Sequence, residues 1–182
     1  GDPATTESLY QLGVPVHPIN HTEVLEDADG QPVEVHARLN AVSSNAASAK
    51  ARFLEGDDAQ DVITLCLDRH HWFFAHGVRV HNKGCFIPET KVTMGDGSRR
   101  AIEAVRQGDQ VLSWDESTGV AVNATVMGLV HAWSDRLMDI MLPNSDRITS
   151  TPDHPFWSHR QRGLVSADPK KHSRRLQVGH GC

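Results

Sequence analysis

No apolar run in this chain approaches the length a bilayer span requires, which removes the simplest route to a membrane-embedded protein. Positive charge is not in excess either: Lys and Arg number 18 against 23 acidic residues, a net charge of -5. Binding to a phosphate backbone by counterion release is therefore not expected, and nucleic acid is not an expected partner. Three cysteines, Cys66, Cys85 and Cys182, are too few and odd in number for a disulfide framework. The expected setting is reducing and cytoplasmic, with Cys66 a small buried side chain in VITLCL and Cys182 an exposed terminal thiol. The opening GDPATTESLY has neither the charged nor the apolar region of a signal peptide, so a soluble chain is expected. There is no solenoid period and no low-complexity tail.

With 182 residues the chain has the size of one domain with a full core. Its charge is uneven: residues 1–82 hold 5 basic and 12 acidic side chains, residues 85–182 hold 12 and 11. Short runs rich in Val, Ile, Leu, Thr and Trp recur between turn signals: PVEVHARL, DVITLCL, HWFFAHGVRVH, KVTM, QVLSW, ATVMGLVHAW, LMDIML and RITST. This pattern predicts a mostly β protein. Asp29-Gly30 and Asp96-Gly97 predict tight turns, and Glu116 to Gly119 a longer hairpin loop. Short helices are expected over Ser43–Glu55, which is rich in Ala, and over Arg99–Gln107, which ends at Gly108. Trp72, Phe73 and Phe74 read as sheet core rather than a base-stacking platform, since no basic residues are interleaved with them. Lys170 to Arg175 reads as a solvated basic loop.

The chemistry concentrates in VRVHNKGCFIPETKV, where His81-Asn82 precede Cys85 by a two-residue step. An Asn side-chain amide can attack its own backbone carbonyl, closing a succinimide and releasing the following residue. A Cys thiol can attack the preceding carbonyl and move the peptide from nitrogen to sulfur. Either reaction needs a protonated leaving nitrogen and a stabilised oxyanion in a partly dry site. Taken alone, Asn82-Lys83-Gly84 is equally good β-turn chemistry. A second element, Thr151-Pro152-Asp153-His154, can present a hydroxyl and an imidazole from one turn. Twelve histidines also raise a metal site, but His70-His71 are adjacent and no C-x-x-C or H-x-x-x-H frames one. His159, His172 and His180 read as solvent-exposed.

These segments resemble the Hint superfamily: inteins, bacterial intein-like domains, hedgehog autoprocessing modules and toxin-associated Hint domains. CFIPETKVTMGDGSRRAIEAVRQGDQVLSWD resembles the motif that opens such a domain, with Cys85 as nucleophile; TPDHPFW resembles its second motif, with Thr151 and His154. DVITLCLDRHHWFFAHGV resembles the penultimate motif, with His71 at the recurrent His position, and VRVHN the closing motif, with His81 and Asn82. The resemblance implies an all-β, horseshoe-like fold and single-turnover autoprocessing on the chain's own peptide bonds, with no cofactor, metal, nucleic acid or membrane. Cys85 would attack the Gly84 carbonyl, Thr151 and His154 would hold and protonate that amide, and His81 and His71 would assist Asn82 cyclisation.

The order departs from the family, because the closing half, 1–82, precedes the opening half, 85–182, across the Lys83-Gly84 bridge. Residues 1–182 would form one circularly permuted Hint domain, or half-domains would be exchanged between molecules in a homodimer. Lys83 lacks the hydroxyl or thiol that splicing requires after the terminal Asn, so cleavage is expected instead. Thr64 stands where relatives often have an Asp or Cys, and Cys66, two residues on and on the same strand face, is a substitute candidate. A catalytically silent Hint scaffold used for structure or binding, and a cysteine hydrolase acting on foreign substrates, are the competing readings.

Overall fold

A computed structural model describes residues 15–39, 60–134 and 136–169. Fourteen strands carry these residues. Before the bridge come β1 (Val16–Pro18), β2 (Thr22–Glu26), β3 (Pro32–Leu39), β4 (Gln60–Leu67), β5 (Trp72–Ala75) and β6 (Val78–His81). After it come β7 (Lys91–Thr93), β8 (Arg99–Ala101), β9 (Gln110–Asp115), β10 (Val120–Ser134), β11 (Met138–Met141), β12 (Arg147–Ser150), β13 (Phe156–Ser158) and β14 (Gly163–Ser166). No helix among the described residues is long and apolar enough to cross a membrane.

The turns follow from local chemistry. Gly30, Gly97 and Gly119 take positive φ at the three expected reversals. The run HWFFAHGVRVH divides into β5 and β6 because His76 (φ 47°) and Gly77 (φ 83°) both enter the left-handed region, the geometry of a two-residue hairpin. The helix expected over Arg99–Gln107 is corrected: residues 99–101 pair with β7, and only Ile102–Ala104 form a single 3-10 turn. Ile102 and Val105, three apart and both fully buried, are satisfied by that one turn, in which positions i and i+3 eclipse. Ser43–Glu55 lies outside the described residues.

Strands from the two sides of the bridge alternate across the structure. The main path runs β12-β11-β3-β2-β13-β6-β5-β7-β8, with β14 joining β13 to β1. The long β10 pairs with β9 through its first half and with β4 through its second, with a register shift between Val126 and Gly128. The core is shared in the same way, since Leu25, Val35, Phe73 and Val80 pack in one cluster with Phe86 and Phe156. Each such side chain contributes roughly 1.5–3 kcal/mol on burial.

A smaller cluster of Trp72, Phe74, Trp114 and Leu164 covers the other face of β5 and β6. Trp72, Phe73 and Phe74 are all buried, as core residues. Arg79 and His81 alternate with Val78 and Val80, so they share that second face.

Cys66 does not carry the expected thiol: it is disulfide-bonded. Among the described residues Cys85 is the free cysteine, and it is buried. Cys182, His172, His180 and the basic run Lys170 to Arg175 lie outside the described residues. His159 departs from the solvent-exposed expectation, because its Nδ1 is 2.9 Å from Glu26 Oε1.

Candidate active site

The bridge lies where four segments converge. Phe86 is pinned on both sides, bridging Ile63 of β4 and Ser150 of β12 through backbone hydrogen bonds. That places Cys85, one residue earlier, against the end of β12. The Cys85 N–H donates to Thr151 Oγ1 at 3.1 Å, and the Thr151 N–H donates back to the Cys85 carbonyl at 2.9 Å. The peptide nitrogen that would leave on thiol attack is thus held by a hydroxyl. Cys85 itself packs with Val62 and Leu137.

The turn Thr151-Pro152-Asp153-His154 closes through the His154 N–H on the Thr151 carbonyl, 3.1 Å. It drives His154 against Gly84. A Cβ on Gly84 would sit 2.7 Å from both His154 Cα and His154 Nδ1, and Gly84 has φ +87°. Only glycine satisfies both conditions, so the bridge passes the imidazole at van der Waals contact. The His154 ring is fully buried between Phe86 (4.1 Å between centroids) and Phe156 (5.0 Å).

On the other side of the bridge, the Asn82 N–H donates to the His71 carbonyl at 2.8 Å, and the His81 N–H to the Pro155 carbonyl at 3.1 Å. Thr64 Oγ1 donates to the Asn82 carbonyl oxygen at 3.0 Å, the oxygen that would carry charge if the Asn82 side chain attacked. The Lys83 N–H, the leaving nitrogen of that reaction, donates to His81 Nδ1 at 3.2 Å. Asn82 Oδ1 is buried and makes no hydrogen bond among the described residues, so the carboxamide is not locked by its oxygen. The His81 ring stacks on His71 at 5.7 Å and meets the edge of Trp72 at 5.0 Å. Burial, followed by the nearby Lys83 charge, holds the His71 imidazole below its ordinary pKa. Burial likewise pulls the Lys83 ammonium down.

Trp72 is backed by a buried cation. The Arg79 guanidinium lies 4.3 Å from the ring centres of both Trp72 and Trp157, and 3.5 Å from Glu26. Burial brings its pKa down to about 10, so it stays charged at neutral pH. This aromatic and ionic cluster fixes the strand face that presents His81.

All six residues expected at the site therefore border the bridge: Cys85, Thr151 and His154 on the Gly84–Cys85 bond, Asn82, His81 and His71 on the Asn82–Lys83 bond. Thr64, noted in the sequence as standing where relatives often have an Asp or Cys, is in direct contact with the Asn82 carbonyl. Its place in an alternating β-run was readable in the sequence, but its hydrogen-bond partner was not. Cys66 is removed as a substitute acid, because its sulfur is in a disulfide.

The Hint module family matches residues 74–178, and the chain belongs to that family. The chain is also similar to the Tiggy-winkle hedgehog protein of Danio rerio, 32% identical over 74 residues. The match covers 41% of this chain and 18% of that protein, so the chain spans about a fifth of the relative's length. Family and relative fit an autoprocessing Hint domain.

Proposed function

We propose that the chain cleaves itself at both ends of Lys83-Gly84 and is a circularly permuted Hint domain, with 1–82 as the closing half and 85–182 as the opening half. The observation that carries this reading is the pair of constellations on the two bonds flanking a two-residue bridge. Pairing of β3 with β11, β6 with β13 and β4 with β10 supports a unit in which the two halves interleave.

At Gly84–Cys85, Cys85 Sγ attacks the Gly84 carbonyl. The C–S bond forms, the C–N bond breaks, and the thiol proton ends on the released amine of Cys85. Thr151 holds that nitrogen throughout, and His154, pressed on Gly84, is the group placed to relay the proton. A free thiol is only a few per cent thiolate at neutral pH, so this relay matters. At Asn82–Lys83, Asn82 Nδ2 attacks its own carbonyl carbon. Thr64 donates to the developing oxyanion, the bond from the Asn82 carbonyl carbon to the Lys83 nitrogen breaks, and the proton lost by Asn82 Nδ2 ends on that nitrogen, relayed by His81, whose Nδ1 faces it. Once a nucleophile displaces Sγ from the Gly84 carbonyl, the products are a succinimide-terminated 1–82, the Lys83-Gly84 fragment and a chain beginning at Cys85. The substrate is the protein's own chain, and no step requires a cofactor.

Asn82→Ala is expected to abolish cleavage after residue 82 and leave thiol-dependent cleavage before Cys85, while Cys85→Ala does the reverse. Intact mass measured with and without dithiothreitol reads both. A double variant still cut at these bonds would overturn the assignment.

A further inference from the structure

We infer that the Lys83-Gly84 bridge leaves as a cyclic dipeptide, a diketopiperazine, formed when the Lys83 α-amine attacks the Gly84 thioester. The inference rests on the two cleavages proposed above and supplies the step that resolves them without water or an external thiol.

The geometry that points to it is the shortness of the bridge and the convergence of both scissile bonds. The Lys83 nitrogen is at 3.2 Å from His81 Nδ1, and the next residue, Gly84, lies against His154. When Asn82 cyclises, the new α-amine therefore appears within the same site as the Gly84 carbonyl, still bonded to Cys85 Sγ. From the Lys83 nitrogen to that carbonyl carbon the backbone supplies a six-membered ring. Gly84 has no side chain to oppose the bend and already holds φ +87°, with residues 82–84 in a bend.

The chemistry balances. A bond forms between the Lys83 α-nitrogen and the Gly84 carbonyl carbon, the C–Sγ bond breaks, and the amine proton passes to the Cys85 thiolate. An α-amine with an ordinary pKa of about 7.7–8.0 is roughly a tenth to a sixth neutral at pH 7, enough to supply the nucleophile. The Lys83 ε-amine would have to close a much larger ring.

Two opposing factors decide the outcome. Well-oriented intramolecular attack has an effective concentration of about 10⁵–10⁸ M. Turning the Lys83–Gly84 amide cis to close the ring takes back roughly two to three powers of ten. An advantage of about a hundredfold or more over a molar nucleophile remains. Lys83 and Gly84 are half-buried and Cys85 is 4% exposed, so bulk water meets the thioester poorly.

The test is incubation of the purified full chain at neutral pH without added thiol, with small-molecule and intact-mass spectrometry of all products. Cyclo(Lys-Gly), lighter than the linear dipeptide by one water, is expected, together with 1–82 and 85–182. Its mass is unchanged in heavy-oxygen water, whereas a hydrolysed dipeptide takes up the label. Asn82→Ala, which leaves the Lys83 nitrogen acylated, is expected to slow thiol-free release of Cys85 by about a hundredfold. Linear Lys-Gly from a chain cut at both bonds overturns the cyclisation and leaves the cleavages standing. Asn82→Ala releasing Cys85 at the wild-type rate without thiol also overturns it. A wild-type chain cut at neither bond overturns the cleavages and the cyclisation together.

Discussion

Thr64→Val separates a structural hydroxyl from a catalytic one. Valine keeps the β-branched shape that suits β4, so the perturbation is the loss of one donor at 3.0 Å from the Asn82 carbonyl oxygen. In the folded ground state that hydrogen bond contributes about 1 kcal/mol, and leaving its acceptor less well satisfied raises the loss to roughly 1–2 kcal/mol. In the transition state of Asn82 cyclisation the same oxygen carries developing negative charge. Thr64 is only 6% exposed, so little water competes for that oxygen. Removing one such preorganised donor typically lowers rates by about 10²–10³, or roughly 2.7–4 kcal/mol. The expected result is a hundredfold or greater slowing of cleavage after residue 82, with thiol-dependent cleavage before Cys85 retained and a small fall in Tm. A time course on denaturing gels, with intact masses to assign the cut, reads the first two; thermal unfolding reads the third. Cleavage after residue 82 within a few-fold of wild type would refute the role, as would an equal slowing of both cuts in the presence of dithiothreitol.

Gly84→Ala must fit a Cβ 2.7 Å from the His154 backbone at φ +87°; a loss of about 1–3 kcal/mol and of thiol-dependent cleavage is expected, and an unchanged Tm would refute the close approach. Arg79→Met removes one of the cations on buried Glu26, leaving Arg162 and His159 beside it, and takes the guanidinium from Trp72; destabilisation of roughly 1–3 kcal/mol by denaturant unfolding and a shifted tryptophan emission are expected. Burial lowers the pKa of both His71 and His76. The unfolded chain therefore takes up protons that the folded one refuses, so stability falls as pH drops below about 6.5 towards the folded values and is restored above it. Tm measured at pH 5.5 and 7.5 should show this gap, and His76→Asn, which suits the left-handed turn, should narrow it.

Strand positions were legible because apolar alternation and turn residues act locally: β3 coincides with PVEVHARL, and the turns at Gly30, Gly97 and Gly119 sit where expected. The site was legible as a set of residues, since His81, Asn82 and Cys85 are close in the chain and TPDH is a compact second signal. What failed depended on long-range partners. Ile102 and Val105 at a spacing of three imitate a helical face, but the Ile102 N–H is spent on the Thr90 carbonyl and the preceding three residues on β7. The state of Cys66 could not be read from an odd number of cysteines. Thr64 looked like a missing acid because its value lies in a distance to Asn82, 18 residues away, and not in its acidity.

The two half-sites differ in when a growing chain can complete them. Thr64, His71 and His81 all precede Asn82, so every one of these partners exists once β6 has been synthesised. The Cys85 bond is different: its hydrogen-bonded hydroxyl comes 66 residues later in the chain, and the imidazole against Gly84 three residues after that. A nascent chain that has not reached residue 154 has no means of holding that bond as the finished protein does. The strand partners β11 and β13 also arrive late, after loops whose closure must be met before their contacts reward it. The sequence order thus works as a clock, in which the proposed acyl shift would wait for translation of Thr151 and His154 and for the closing of the sheet around them.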